Sequence, residues 1–410
     1  MSVRSVGVRP PVFTLPALAT LLVTFGLPIQ VQAQETVAAT DVVTPLVATP
    51  LASPNPVLGS DDKTHLAYEL VLMNMAPSTV TVEKVETLDA ESGSVLGTLE
   101  GEALKQMLRL NGGGNTSELP GGAGGFLFMD VTLAKDAAIP KALRQRFDLK
   151  VAKAPTQGSA SDHDPAPELP QDLAFVGNPL PVGAPAVVVA PPLKGRRWVV
   201  GGGCCTPYSY HRGATLPING AVHVAERFAI DFVQLNDNNM LFDGDMKQVS
   251  DYAYFGDEVY SVADGTVVAT ENDLPEQIPG KLPEDATIQM AGGNYVVVDI
   301  GGGRFAFYAH MQPGSVKVKV GDKVTAGQAL GLLGNSGNTD TPHLHFHVMD
   351  GPSPLLANGL PYAFTSFTGE GRLPDEQPLF TGGAVAIDKE ALSGRHENEM
   401  PLYDQVVSFP

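Results

Sequence analysis

Cysteine is almost missing from this sequence: 410 residues contain two, adjacent at Cys204 and Cys205. Neighbouring cysteines cannot staple distant parts of a fold, so no disulfide framework holds the chain together. The pair reads as a vicinal bridge or as inert thiols after Gly201-Gly202-Gly203, although two thiolates could also hold a metal. Positive charge is scarce too. Lys and Arg number 26 against 45 Asp and Glu, a net charge of -19, which argues against nucleic acid and anionic lipid surfaces as partners. Long amphipathic helical patterns are lacking, whereas Gly and Pro are plentiful at 44 and 34. That balance reads as an all-β chain. The one tryptophan, Trp198, reads as a packing anchor.

The first 33 residues have the layout of a secretory signal peptide. Arg4 and Arg9 form a basic start, Val12 to Leu27 an apolar run broken by Pro16, and Val31-Gln32-Ala33 the small residues before a cut. The run falls short of the ~20 apolar residues a spanning helix needs, and no later segment could span a membrane. The expectation is a secreted protein, periplasmic or extracellular.

Residues 34–62 lack periodicity and are rich in Ala, Thr, Pro and Val, which reads as a linker. Residues 63–195 carry short strand patterns, including Ala67 to Asn74, Thr79 to Val85, Gly125 to Leu133 and Phe147 to Val151. They read as an accessory β-sandwich resembling immunoglobulin-like modules. Ala186 to Ala190 either closes that sandwich or links onward. A connecting segment is expected over 196–226, an antiparallel β-sheet domain over 227–364, and a C-terminal extension over 365–410. The Asp-rich stretch 235–257 fits no EF-hand spacing and reads as a solvated loop.

The chemistry concentrates in Pro342-His343-Leu344-His345-Phe346-His347-Val348. On a strand, successive side chains point to opposite faces. His343, His345 and His347 then share one face, with neighbouring imidazoles about 6.5–7 Å apart, while Leu344, Phe346 and Val348 face a core. Three cationic rings in a row would repel, so the arrangement favours neutral imidazoles or a shared positive centre. Nine histidines in the whole chain make three in five positions unlike chance.

Further pieces occur in order around this run: Ala263-Asp264-Gly265, Tyr308-Ala309-His310, Val318 to Val324 with Gly327-Gln328, and Gly334-Asn335-Ser336-Gly337. Together with Pro342-His343-Leu344-His345-Phe346 they resemble the LytM/lysostaphin-type zinc endopeptidases, which cut peptide cross-links in bacterial cell walls. The resemblance covers roughly residues 210–365. It implies one Zn2+ per chain, Asp231 and His345 as ligands, and His310 and His343 as catalytic residues that assist the water and the oxyanion. It also implies peptidoglycan or a peptide as substrate.

The sequence departs from the family at one position. Four residues before Asp231, where the family has its first His ligand, stands Arg227, and a guanidinium offers no lone pair to a metal. His347, His223 and His211 are the candidates to complete the set, the last two also being readable as surface loop residues. Two readings therefore stay open: an active zinc endopeptidase, or a catalytically degenerate relative, with Arg227 pairing Asp231, that binds cell wall or regulates other wall hydrolases. A third, a lipoyl or biotinyl carrier suggested by Val320 to Val324 and Gly327-Gln328, leaves the histidines without a purpose and lacks the modified-Lys turn.

Overall fold

Strand Lys63–Asn74 explains how the two halves meet. Its alternation is hidden on both faces, as a strand covered by layers on each side must be. Leu66, Tyr68, Leu70 and Leu72 point into one core, while His65, Ala67 and Glu69, equally buried, point the other way. The computed structural model describes residues 42–153, 169–205, 209–284 and 286–410, and residues 43–410 form one unit. The expected signal peptide lies outside the described residues.

Lys63–Asn74 belongs to a five-stranded sheet, flanked by Leu46–Pro50 and Asn55–Leu58 on one side and by Gly124–Ala134, then Leu108–Leu110, on the other. A six-stranded sheet built on Val80–Asp89 and Ala142–Val151 faces it. Val80, Val82, Val85, Phe147 and Leu149 meet Tyr68, Leu70 and Leu127 in a shared core, so this region is a sandwich. Two of its strands lie in the segment expected as a linker, 34–62. The reason is positional: both are edge strands, where Pro50 and Pro56 need not donate to a neighbour on each side.

The second half is an eleven-stranded sheet. Its path runs Lys323–Val324, Gly265–Glu271, Asn294–Gly301, Arg304–Met311, Leu344–Met349, Ile230–Gln234, Gly195–Gly201, Gln405–Phe409, Phe367–Arg372 and Asp388–His396, with Gly359–Leu360 also paired to Leu344–Met349. The expected boundaries move accordingly. Gly195–Gly201, at the start of the supposed connecting segment, is a central strand, and three strands of the supposed extension 365–410 continue the same sheet. Val187–Val189 links onward, pairing in parallel with Tyr362–Phe364. Beneath the sheet, Trp198, Phe228, Phe232, Tyr308, Phe346, Tyr362 and Phe364 are fully buried. Trp198 is the anchor expected, its indole N–H donating to the Lys194 carbonyl at 2.8 Å.

The face of Lys63–Asn74 turned away from the sandwich core carries an ionic triad. His65 places Nδ1 3.1 Å from Asp130 Oδ2 and Nε2 3.2 Å from Asp61 Oδ1. Burial works against the charged ring, but the two carboxylates outweigh it and raise its pKa to about 9. The folded value lies above the unfolded value of about 6.5. The triad's stabilisation is therefore full below about pH 6.5 and is lost as pH rises through about 9, up to about 3 kcal/mol. Urea midpoints measured between pH 6 and 9.5 should fall for the wild type and stay flatter for His65→Gln. Equal slopes would remove the triad from the account.

Candidate metal centre

The site forms where three strands run side by side. Asp231 on Ile230–Gln234 pairs directly with His345 on Leu344–Met349, and His345 pairs on its other side with Ala309 on Arg304–Met311. Leu344, Phe346 and Val348 are buried in the main core. The alternation therefore turns His345 and His347 to the opposite face, as the sequence pattern predicts. His343 lies just before the strand, held by a bridge to Gly334. His310 ends the neighbouring strand with φ +62. This left-handed conformation is uncommon for a residue with a side chain, and costs on the order of 1 kcal/mol or more. Its Nδ1 meets the Ser336 carbonyl at 2.7 Å.

Three imidazole nitrogens converge on one carboxylate oxygen. His345 Nδ1 lies 2.9 Å from Asp231 Oδ1, and His211 Nε2 and His343 Nε2 each lie 3.3 Å from it. The Tyr210 hydroxyl donates to the other oxygen, Oδ2, at 2.8 Å. The far sides of the rings fix their tautomers. His211 Nδ1 faces the carbonyls of Gly202 and Ala229, both at 3.1 Å, and His343 Nδ1 faces the Thr341 carbonyl at 2.7 Å. A nitrogen facing a carbonyl must carry the proton. The Nε2 lone pairs of His211 and His343 therefore point at a carboxylate oxygen, which is repulsive unless a cation, a proton or a metal ion, lies among them. The ring of His211 can pack here because residue 202 is glycine: a Cβ there, at φ +63, would stand 2.4 Å from His211 Nδ1.

The electrostatics agree with a cation-seeking centre. Burial disfavours the Asp231 carboxylate, but His211 and His343 outweigh it and hold its pKa well below the usual range. Burial likewise opposes charge on His211, yet Asp231 raises its pKa to about 9. His310 is pushed well below 6.5, by burial first and then by His343 and His345.

Two overlapping donor groups result, His211 with Asp231 and His345, and His310 with His343 and His345, each with ligand atoms within 4.8 Å of one another. A third, His65 with Asp130 and Cys205, lacks a thiolate because Cys204 and Cys205 are disulfide-bonded. The centre opens into a cavity of about 640 Å³, whose walls include Tyr295, Phe307, Leu355, Leu379 and Phe380.

The structure brings together Asp231, His310, His343 and His345 as the sequence suggests. It does not bring in His223, which lies half-buried on the hairpin strand Ala221–His223, outside every donor group found among the described residues. His347 lies outside both donor groups but lines the same cavity, with Nδ1 2.9 Å from His345 Nε2. Arg227 neither fills the centre nor pairs Asp231. Its Nε donates to Glu69 Oε2 at 2.7 Å and its Nη1 to the Gly359 carbonyl at 2.9 Å. The imidazole beside Asp231 is instead that of His211, which is 3% exposed and so is no surface loop residue. Tyr210 has no signature in the sequence. No spacing rule connects either residue to Asp231, because a separate segment delivers them.

Residues 246–356 match the model of Peptidase family M23. The matched segment contains His310, His343, His345 and His347 and begins after Asp231. Over 102 residues the chain is 34% identical to the peptidoglycan DD-endopeptidase ShyA of Vibrio cholerae, an alignment covering 25% of this chain and 20% of that protein. Over 71 residues it is 38% identical to lysostaphin of Staphylococcus simulans, covering 17% and 14%. The chain thus spans about a fifth or less of the length of these curated relatives. The solved catalytic domain of lysostaphin from Staphylococcus simulans matches with 24% identity over 40% of this chain and 88% of that one, at a TM-score of 0.22. Taken with the motifs along the chain, the family match makes residues 246–356 a Peptidase family M23 domain of the LytM/lysostaphin kind.

Proposed function

We propose that this protein is a secreted zinc endopeptidase that hydrolyses peptide cross-links of peptidoglycan. In this reading His211, Asp231 and His345 hold one Zn2+. The observation that carries it is the convergence of His211 Nε2, His343 Nε2 and His345 Nδ1 on Asp231 Oδ1. Two nitrogens and a carboxylate oxygen are a donor set zinc accepts in catalytic sites. When bound, zinc polarises the scissile carbonyl and lowers the pKa of a water to about 7.

The chain's own groups supply the rest. His310, its Nδ1 proton held by the Ser336 carbonyl, keeps a free Nε2 lone pair and can take a proton from the attacking water. His343 adjoins it with ring centroids 4.5 Å apart; its Nδ1 proton is held by the Thr341 carbonyl, so it stabilises the oxyanion by donating from Nε2 in its doubly protonated form. The cavity's apolar walls exclude water from the peptide bond. The bonded state of Cys204 and Cys205 accords with an oxidising compartment. Among the described residues no helix is long and apolar enough to cross a membrane.

His347 acts behind His345. With the metal on His345 Nδ1, His345 Nε2 would carry the proton and donate it to His347 Nδ1, 2.9 Å away; the His347 pKa is held well below 6.5 by burial first and then by His345. His347→Gln should weaken zinc binding about 10–100-fold, as losses of such supporting hydrogen bonds do, with the fold intact by circular dichroism. Competition against a chromogenic chelator reads the change, and an unchanged affinity would remove His347 from this role.

Arg227, at the family's usual His position, favours one other reading: a degenerate relative that binds wall or regulates another hydrolase. Metal analysis of the purified chain beside a peptidoglycan digestion assay separates the two. About one zinc per chain, lost with activity in His345→Ala, supports the peptidase. A folded chain with no zinc and no cleavage, retained on peptidoglycan, decides for the relative.

A further inference from the structure

We propose that the N-terminal sandwich is part of the support of the metal centre, with Arg212 and Glu69 as positioning residues for His211; this rests on the zinc reading above. Arg212 directly follows His211 and is 1% exposed. Its guanidinium donates to three carbonyls. Nη2 donates to Tyr68, at 3.3 Å, and to Met129, while Nη1 donates to Cys205. Tyr68 and Met129 are opposed residues on the sandwich strands Lys63–Asn74 and Gly124–Ala134.

Glu69, one residue further along and fully buried, has Oε1 3.7 Å from Arg212 Nε and Oε2 2.7 Å from Arg227 Nη2. At the surface, Arg109 of the sandwich donates to the Gly213 carbonyl at 3.4 Å. The turn carrying Tyr210 and His211 is thus held from behind by one domain while its rings face the centre of the other.

The geometry is directional. His211 approaches Asp231 from a segment that shares no ladder with Ile230–Gln234, so the sheet alone cannot set its position. A guanidinium offers a fixed fork of donors, and here the fork is spent on carbonyls from the sandwich and from Cys205, which leaves the neighbouring residue one orientation. Two buried arginines around a single carboxylate are a costly device for stability alone. A role in placing His211 accounts for them.

The test uses the full chain, with Zn2+ affinity measured by chelator competition and Co2+ substitution read by visible absorption, which reports coordination. Arg212→Lys keeps the charge but loses the fork, and Glu69→Gln keeps the shape but loses the charge. Both should weaken Zn2+ binding about tenfold or more and shift the cobalt spectrum toward that of His211→Ala, with far-UV circular dichroism unchanged. Wild-type affinity and spectrum in both variants, alongside loss in His211→Ala, would overturn this inference and leave the zinc reading standing. A wild type that binds neither metal would sink both. Should the buried variants fail to fold, the surface variant Arg109→Ala decides: a severalfold loss of affinity supports the proposal, and an unchanged affinity overturns it.

Discussion

His211→Ala should fold and should lose zinc. On the proposed zinc reading the centre has three protein donors; removing one leaves Asp231 and His345, and two ligands hold zinc poorly. Metal binding worth about 10–16 kcal/mol over four ligands amounts to roughly 3 kcal/mol each, so affinity should drop on the order of a hundredfold or more. The mutation also takes an imidazole from the side of a buried carboxylate, which has other partners in His343, His345 and Tyr210. Folding should therefore survive with a modest loss. His223→Ala is the matched control. It removes the histidine closer in sequence to Asp231 but remote from the donors, and should bind zinc as the wild type does. If the two variants exchanged behaviours in the chelator assay, the centre described here would be wrong.

Arg227→His would create the four-residue His–Asp spacing that the family resemblance implies before Asp231, yet it should harm the protein and give no better metal site. The side chain at 227 points toward Glu69 and the Gly359 carbonyl. Glu69 is 0% exposed, and breaking a buried ion pair by removing one partner costs about 3–5 kcal/mol. The loss should fall at the lower end, because Arg212 stays within 3.7 Å of Oε1. Urea denaturation measures it. In a cycle with Glu69→Met, the double variant should be less destabilised than the two single losses added, since the residues touch. A histidine at 227 that left stability untouched and tightened zinc binding would contradict the geometry at both ends.

The His-rich strand was legible because alternation is a local rule: imidazoles at 345 and 347 imply Leu344, Phe346 and Val348 on the opposite face, and the structure places them so. His310, His343 and Asp231 were legible through resemblance to a family whose motifs recur at fixed spacing. What no local rule reveals is which distant segment fills a gap. Sequence alone leaves His347, His223 and His211 as alternatives, and only the fold separates them, because His211 arrives on a turn fastened elsewhere. The edge strands Leu46–Pro50 and Asn55–Leu58 were hidden for a similar reason. Their Pro and Thr content reads as linker until a partner strand is present. The region after 364 is broken by Gly and Pro and reads as an extension ending in a strand at Asp404 to Phe409; that strand forms at Gln405–Phe409, and Gly369 and Val407 pair in the principal sheet. The fully buried face of Glu69 also had no signature, since a charged residue within an apolar run reads as solvent-facing.

The order of the central strands carries a consequence for how the molecule comes to exist. Val199 lies against Val406 on one side and Val233 on the other, so the strand next to Asp231 finds its outer neighbour only after residue 406 has been made, about two hundred residues later. Pairings that span so much sequence are slow to form. Completion of this side of the sheet therefore waits until the chain has passed residue 406, and any chaperoning or metal delivery that needs the finished sheet must act after that point.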